Sequence, residues 1–172
     1  SACPVIEQLD ETEAYYSPAR DEVHLPMRNR FYSSTEFLAT AIHEMSHSTG
    51  HPSRLNRPQK NVFGSKEYAK EELIAELSSV FVQADLGIDI GAKQLSNHAA
   101  YLQNWIGALK ENPNVLFQAS SDASRASDFL MEQYQKSFIM EQKKENGMVQ
   151  NADEQKEEKP KKRKFVSHLT EN

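Results

Sequence analysis

The chain of 172 residues contains a single cysteine, Cys3, so no disulfide can form within it. This absence is typical of proteins in a reducing compartment, and it excludes a small secreted scaffold stapled by disulfides. The sequence also lacks any apolar run long enough for a membrane span or for the core of a signal peptide. We therefore expect a cytoplasmic protein with no membrane partner.

Positive charge is also scarce. Lys and Arg number 20 against 25 Asp and Glu, which gives a formal net charge of -5. Because nucleic-acid binding needs concentrated Lys and Arg, this balance argues against a chain that coats DNA or RNA as a whole. The chain begins at Ser1 rather than at a methionine, so we expect a piece of a longer protein.

Apolar periodicity predicts one α+β domain over residues 1–140 and a charged, disordered tail over 141–172. The predicted elements are two strands at 14–16 and 22–25, joined by a hairpin, and four helices near 33–50, 65–86, 94–110 and 113–134. Beyond residue 141, Glu, Lys, Gln and Asn predominate. Such a segment buries too little apolar surface to offset its ordering entropy.

The first two helices carry recognisable signals at their ends. Ser33 and Glu36 have the spacing of a capping box, and Gly50 is a typical helix stop. The second helix is expected to begin near Ser65 and to end at Gly87. Its predicted apolar stripe consists of Leu73, Leu77, Val80, Phe81 and Ala84.

The first helix contains the pentapeptide His43-Glu44-Met45-Ser46-His47, an H-E-x-x-H pattern. Residues four apart share a helix face, so both imidazoles can reach one metal ion. Zinc binds neutral imidazole and, at catalytic sites, keeps one position for water. Glu44 is then placed to activate that metal-bound water for attack on a carbonyl. A chance match is the competing interpretation, but the predicted helix supplies the context that the motif requires.

A catalytic metal ion needs a third protein ligand, and the second helix offers Glu72 and Glu76 on one face. Unpaired carboxylates beside an apolar stripe would be costly, whereas a metal ion and a histidine N–H would satisfy both. We assign Glu72 as the ligand and Glu76 as the acceptor that orients a histidine, with Glu76 as the alternative ligand. A solvated helix face is the other interpretation, because Glu67, Lys70 and Glu71 are also charged.

Three further residues are candidate substrate contacts: His98, Tyr101 and Arg54. His98 and Tyr101 lie on the predicted third helix, where a lone histidine more often packs or caps than contacts a substrate. Arg54, like Arg57 and Lys60, lies in the loop after the metal helix. These cations would suit an acidic substrate or a phosphate, although loop cations are usually solvated.

Residues 14–134 resemble the C-terminal zincin-like domain of ArdC-type antirestriction proteins, which are carried by conjugative plasmids and other mobile elements and are related to TraC-type primases. The most specific stretches are HEMSHSTGH at 43–51 and FGSKEYAKEELIAEL at 63–77. The resemblance implies a gluzincin-like metallopeptidase domain and a role in protecting incoming DNA from restriction. DNA binding in that family belongs to an N-terminal domain, so we do not expect it from these residues.

We therefore predict a gluzincin-type zincin with a small N-terminal sheet packed on a four-helix body. Its function would be zinc-dependent hydrolysis of a peptide or protein substrate that lies along an edge strand, predicted at Val23 and Leu25. The alternative is a non-catalytic, zinc-containing binding module that interacts with restriction enzymes or DNA. An open metal site would favour the enzyme, and a fourth protein ligand would favour the module. Mn, Fe and Co suit the same ligands, and zinc is favoured by precedent.

Overall fold

A computed structural model describes residues 3–8, 12–59, 65–88 and 113–157. The elements in these ranges are β1 (Val5–Gln8), β2 (Tyr15–Ser17), β3 (Glu22–Pro26), a short 3-10 helix (Arg28–Arg30), α1 (Ser34–Ser48), α2 (Lys66–Asp85) and α3 (Asn114–Glu157). The predicted α+β class is confirmed. The predicted helix at 94–110 lies outside the described residues. Among the helices described, none combines the length and the apolar character that a bilayer span requires.

The chain divides into two compact units, Ser1–Tyr134 and Gln135–Asn172. In the second unit the described residues are helical as far as Glu157, beyond the point where the lost apolar periodicity predicts disorder. Glu, Lys and Gln have high helix propensity even where nothing is buried, which accounts for the difference. The division into a domain ending at residue 140 and a tail stays a prediction.

The strands form one sheet of order β1-β3-β2. The predicted hairpin is confirmed, since β2 pairs antiparallel with β3 and Tyr16 lies opposite Val23. On the other side β1 pairs parallel with β3, with Val5 opposite Val23. The prediction that Val23 and Leu25 form the edge is therefore wrong. Both are fully buried in the central strand, because β1, which was not predicted, pairs along its second side.

Helix α1 begins where the capping pattern predicts. The Ser33 hydroxyl accepts a hydrogen bond from the Glu36 amide at 3.1 Å. The Glu36 carboxylate accepts one from the Tyr32 amide at 2.9 Å, so it serves the residue before the cap. Helix α2 begins in the same way, with the Ser65 hydroxyl accepting from the Tyr68 amide. Its C-terminal stop is also as predicted, with Gly87 at a φ of 65°.

Two apolar clusters position the helices of the first unit. One joins the sheet to α1, and its buried members are Val23, Leu25, Phe37 and Ala41. The other joins α2 to α3, and its buried members are Leu73, Ile74, Ala119 and Ala123. Because full burial of one large apolar side chain contributes about 1.5–3 kcal/mol, these clusters hold α1 on the sheet and α2 against α3.

Between α1 and α2 the packing is polar and close. The hydroxyls of Ser46 and Ser78 lie 3.1 Å apart, and the Ser79 hydroxyl donates to the Ala39 carbonyl at 3.3 Å. Gln83 is fully buried beside them. Small side chains allow the two helices to approach closely, and their mutual hydrogen bonds remove the cost of burying hydroxyl groups.

The predicted stripe of α2 is therefore correct only in part. Leu73 is buried as expected, but Val80 and Phe81 are half-buried and Ala84 is exposed. The helix packs against α1 as well as α3, so its buried surface is wider than one apolar stripe and includes polar positions.

Candidate metal centre

The H-E-x-x-H histidines lie on the C-terminal half of α1 and face α2. Their ring centroids are 4.9 Å apart and the ring planes are nearly perpendicular, at 84°. The side chains of His43 and His47 are 21% and 13% exposed. Spacing by one helical turn thus brings both imidazoles to one point of the α1–α2 interface, as the sequence predicts.

The Glu72 carboxylate lies between the two imidazoles. Its Oε2 is 3.7 Å from His43 Nε2, and its Oε1 is 3.6 Å from His47 Nε2. One ligand atom from each of the three residues lies within 4.8 Å of the others. Ligands about 2.0–2.2 Å from a tetrahedral zinc ion lie roughly 3–4 Å from one another, so this spacing fits a single cation.

The second ring nitrogen of each histidine contacts another carboxylate of α2. His43 Nδ1 is 3.1 Å from Glu76 Oε2, and His47 Nδ1 is 3.4 Å from Glu71 Oε1. A carboxylate at Nδ1 keeps a proton there and leaves Nε2 to bind a metal ion. Glu76 thus lies where a histidine-orienting acceptor was expected. The assignment of Glu72 as the ligand stays a prediction, although Glu72 is the carboxylate placed near both Nε2 atoms.

The contact between Glu71 and His47 is not indicated by the sequence pattern, in which Glu71 is one of several charged residues on a helix face. Its side chain is 10% exposed and is bound by Arg57, which is 8% exposed rather than solvated. Arg57 Nε donates to Glu71 Oε2 at 3.0 Å, and Nη2 donates to Oε1 at 2.7 Å. One signal was available in the sequence. Each metal-binding histidine needs its own acceptor, and Glu71 adjoins the predicted ligand.

A cavity of about 450 Å³ opens beside the histidines. Its lining residues are Ala14, Tyr15, Tyr16, Pro18, His43, Glu44, His47, Gln59, Tyr68, Glu71 and Glu72. Strand β2 therefore flanks the cleft, in the place that was predicted for β3. Glu44 is 9% exposed and lies in the wall of the cleft, where the motif requires it.

The centre is strongly negative, because four glutamates surround two histidines. Burial lowers the pKa of His43, but hydrogen bonds to the Glu72 and Glu76 carboxylates raise it to about 10. Burial raises the pKa of Glu72, yet its hydrogen bond with His43 and the nearby histidine charges bring it below its usual value. Both shifts follow from the contacts between the carboxylates and the histidines, and the negative charge around the two imidazoles suits a divalent cation.

Arg54 is placed away from the cleft lining. Its side chain is 2% exposed and pairs with Asp21, with Nη1 donating to Oδ2 at 3.0 Å. The Tyr16 hydroxyl donates to Asp21 Oδ1 at 2.8 Å. Hydrogen bonds from Arg54 lower the pKa of Asp21 to about 2, against the opposing effect of burial. The other two candidate contacts, His98 and Tyr101, lie outside the described residues, and their roles stay predictions.

Comparison with known proteins gives the same fold. A family model described as zincin-like metallopeptidase matches residues 3–122. A protein named DNA primase TraC from Escherichia coli is 45% identical over 122 residues, which cover 71% of this chain and 11% of TraC. The chain therefore spans about a tenth of the length of that relative.

Two solved structures are also similar, both of the antirestriction protein ArdC from plasmid R388. The Mn(II)-bound crystal structure has a TM-score of 0.65 and 38% identity, over 76% of this chain and 47% of ArdC. The metal-free crystal structure has a TM-score of 0.62 and 37% identity, over 76% and 46%. The resemblance drawn from the sequence is confirmed. With its family match, its α+β architecture and its convergent histidines and glutamate, this chain belongs to the zincin-like metallopeptidase family and has a metal-binding zincin fold.

Proposed function

We propose that this chain is the zinc-dependent peptidase domain of an antirestriction protein, with Glu44 as the catalytic base. The observation that carries the proposal is the convergence of donor atoms from His43, His47 and Glu72 within 4.8 Å. Glu44 lies outside that donor set but lines the same cleft. A carboxylate beside the ligands, rather than among them, is what hydrolysis requires and what a purely structural site does not use.

Two imidazoles and one carboxylate are the protein ligands of a well-known class of catalytic zinc site. The same donors also accept Mn(II), the ion in one ArdC crystal structure. Bound to these three residues, zinc would supply Lewis acidity, polarising a peptide carbonyl and making a nearby water more acidic. We assign zinc on the donor set and test it by metal content.

The residues of the chain then have separate roles. Glu44 accepts a proton from water and delivers it to the departing amine. Glu76 and Glu71 fix the rings of His43 and His47 through their Nδ1 atoms. An extended peptide fits beside β2, which lies at the edge of the described sheet and contributes Tyr15 and Tyr16 to the cleft.

The loop arginines give no support to nucleic-acid binding at this centre. Arg54 pairs with Asp21 and Arg57 pairs with Glu71, and both guanidinium groups are buried. The described residues that line the cleft include three glutamates and no Lys or Arg. A polyanion would be repelled there, whereas an extended peptide is not. We therefore assign any DNA contact in antirestriction to residues outside this centre, and a restriction enzyme is our candidate protein substrate.

Metal content and peptide hydrolysis, measured on wild type and Glu44→Gln, test the proposal together. We expect about one zinc per chain in both proteins, because Glu44 is not a ligand. We expect hydrolysis of a mixed peptide library to fall by about 10²–10⁴-fold in the variant, the range for loss of a general base. Cleavage by Glu44→Gln at the wild-type rate would contradict the mechanism. Zinc binding without cleavage by either protein would favour the binding module.

A further inference from the structure

The loop that follows α1 folds back over the end of that helix. The last carbonyls of a helix have no partner within it, and here residues 54–59 supply donors to them. The donor and acceptor pairs are Arg54 Nε to Ser48 O, Leu55 N to Thr49 O, Arg57 N to Gly50 O, Arg57 Nη2 to Ser46 O and Gln59 Nε2 to His47 O. The end of the metal-binding helix is therefore fixed by this loop.

Gly50 allows the loop to come this close. A Cβ atom at Gly50 would lie 2.5 Å from Gln59 Nε2 and 3.2 Å from Arg57 Nη2. The first distance is too short for a Cβ atom and the second is tight, so a larger residue would displace the Gln59 amide and shift Arg57 by a few tenths of an ångström. Gly50 thus leaves room for the side chains that the loop places at the helix end.

Two arginines in this loop have matching roles at the helix end but different partners beyond it. Both are buried and both donate to a carbonyl of the last turn. Arg54 also donates a hydrogen bond to Asp21, which lies in the turn between β2 and β3. Arg57 also donates hydrogen bonds to Glu71, and Glu71 in turn contacts Nδ1 of His47. Arg57 is therefore linked to the metal centre through a single carboxylate.

We propose that Arg57 is a positioning residue that sets the metal affinity of the centre, acting through Glu71 on His47. The inference rests on the proposed metal-binding function and adds a residue that lies outside its ligand set. Arg57 binds both oxygens of Glu71, and its third nitrogen, Nη1, donates to the Thr49 hydroxyl at 2.7 Å. A carboxylate bound at both oxygens is held in one orientation, so Glu71 Oε1 stays at His47 Nδ1, and His47 Nε2 stays on the side of Glu72, where a metal ion would bind.

Arg57 affects the metal centre both through its positive charge and through the way it orients Glu71, and a test must distinguish the two effects. Removing the positive charge of Arg57 would by itself strengthen binding of a cation, because Glu71 would no longer be neutralised. Lysine keeps the charge but is a point donor that cannot bind both carboxylate oxygens in a planar fork. Arg57→Lys therefore removes the two-point binding of Glu71 and the contacts at the helix end, but keeps the charge. Arg54→Lys is its matched control, since it makes the same change at the same helix end.

Zinc affinity of the full chain, measured by competition with a chelating dye, gives the main result. We expect Arg57→Lys to bind zinc about tenfold more weakly than wild type, in the range for loss of a partner outside the ligand set. Arg54→Lys is expected to stay within about twofold. Thermal unfolding of the metal-free forms measures the shared role at the helix end, and both variants are expected to lower Tm. Equal losses of zinc affinity in the two variants would overturn the proposal.

A second pair of measurements shows whether Arg57 acts through Glu71. In a Glu71→Gln background the effect of Arg57→Lys is expected to shrink below about twofold, because the amide offers the fork only one acceptor. In histidine-labelled protein, the ¹⁵N signals of His47 are expected to change in Arg57→Lys and not in Arg54→Lys. A full tenfold loss in the Glu71→Gln background would overturn the proposal. Absence of zinc binding by wild type would instead overturn the proposed function on which it rests.

Discussion

Helix α2 presents an apolar face to α3 and a polar face to α1. On the first face Leu73 and Ile74 pack against two alanines of α3. On the second, carboxylates meet the two histidines and Ser78 meets Ser46. The apolar face stabilises the fold by removing surface from water. The polar face concentrates negative charge, which is costly unless it is paired. One helix can carry both core and site because the two tasks use different faces.

The largest effect is expected on the polar face, from Glu72→Ala. Structural zinc sites with four protein ligands bind the ion with about 10–16 kcal/mol, or about 2.5–4 kcal/mol per ligand, so loss of Glu72 should lower zinc affinity by roughly 10²–10³-fold. Metal-free stability should fall by much less, because His43 keeps its contact with Glu76 when Glu72 is removed. Isothermal calorimetry and thermal unfolding measure the two quantities. The control is Glu67→Ala, an exposed glutamate on the same helix; an equal loss of affinity there would break the comparison.

A smaller effect, of a different kind, is expected from Leu73→Ala on the apolar face. Leu73 is 1% exposed, and truncation of such a side chain leaves a cavity that lowers the free energy of unfolding by about 3 kcal/mol. Urea unfolding of the metal-free chain measures this loss. Zinc affinity of the folded variant should stay within about twofold of wild type. A parallel loss of affinity would show that the two faces are not separable.

The smallest effect concerns Asp21 and Arg54, a polar pair that supports structure rather than the metal centre. The pKa of Asp21 is lowered to about 2, so its contribution is present above the usual carboxyl pKa and is lost as pH falls towards 2. We expect wild type to exceed Asp21→Asn by about 1–2 kcal/mol at pH 5, and the difference to vanish near pH 2.

Asn is the appropriate replacement because Asp21 has a φ of 54°, a conformation that Asn also adopts readily. The variant therefore removes the charge without straining the turn. Unfolding measured at intervals between pH 5 and pH 2 follows the difference. A constant gap between wild type and Asp21→Asn across this range would mean that the carboxylate charge is not the source of the stability.

Features set by spacing along one helix could be predicted from the sequence. His43 and His47 share a face because they are one turn apart, and the same geometry pairs Glu72 with Glu76 on α2. The helix caps at Ser33 and Ser65 are also local, since each depends on the next three residues alone. These local rules were enough to indicate the two helices and the donor set.

Features that depend on tertiary partners could not be predicted from the sequence. Strand β1 is defined by its parallel pairing with β3 rather than by a local signal in its own four residues. Gln83 is a residue type expected at the surface, yet it is fully buried in the structure. The contact between Glu71 and Arg57 depends on the path of the loop after α1, which Pro, Arg and Asn residues mark only as irregular.

The three donor residues lie on two helices that also pack through residues outside the donor set. The clusters at Phe37 and Leu73 and the serine contact at Ser46 contain no proposed ligand. In small zinc domains, folding and metal uptake are one event, and a chelator unfolds the protein. Here we expect two separate events, because the apolar clusters contain no proposed ligand. Occupancy of the proposed metal centre would then follow the supply of free ion around the protein, and a chelator would empty the centre while the chain stays folded.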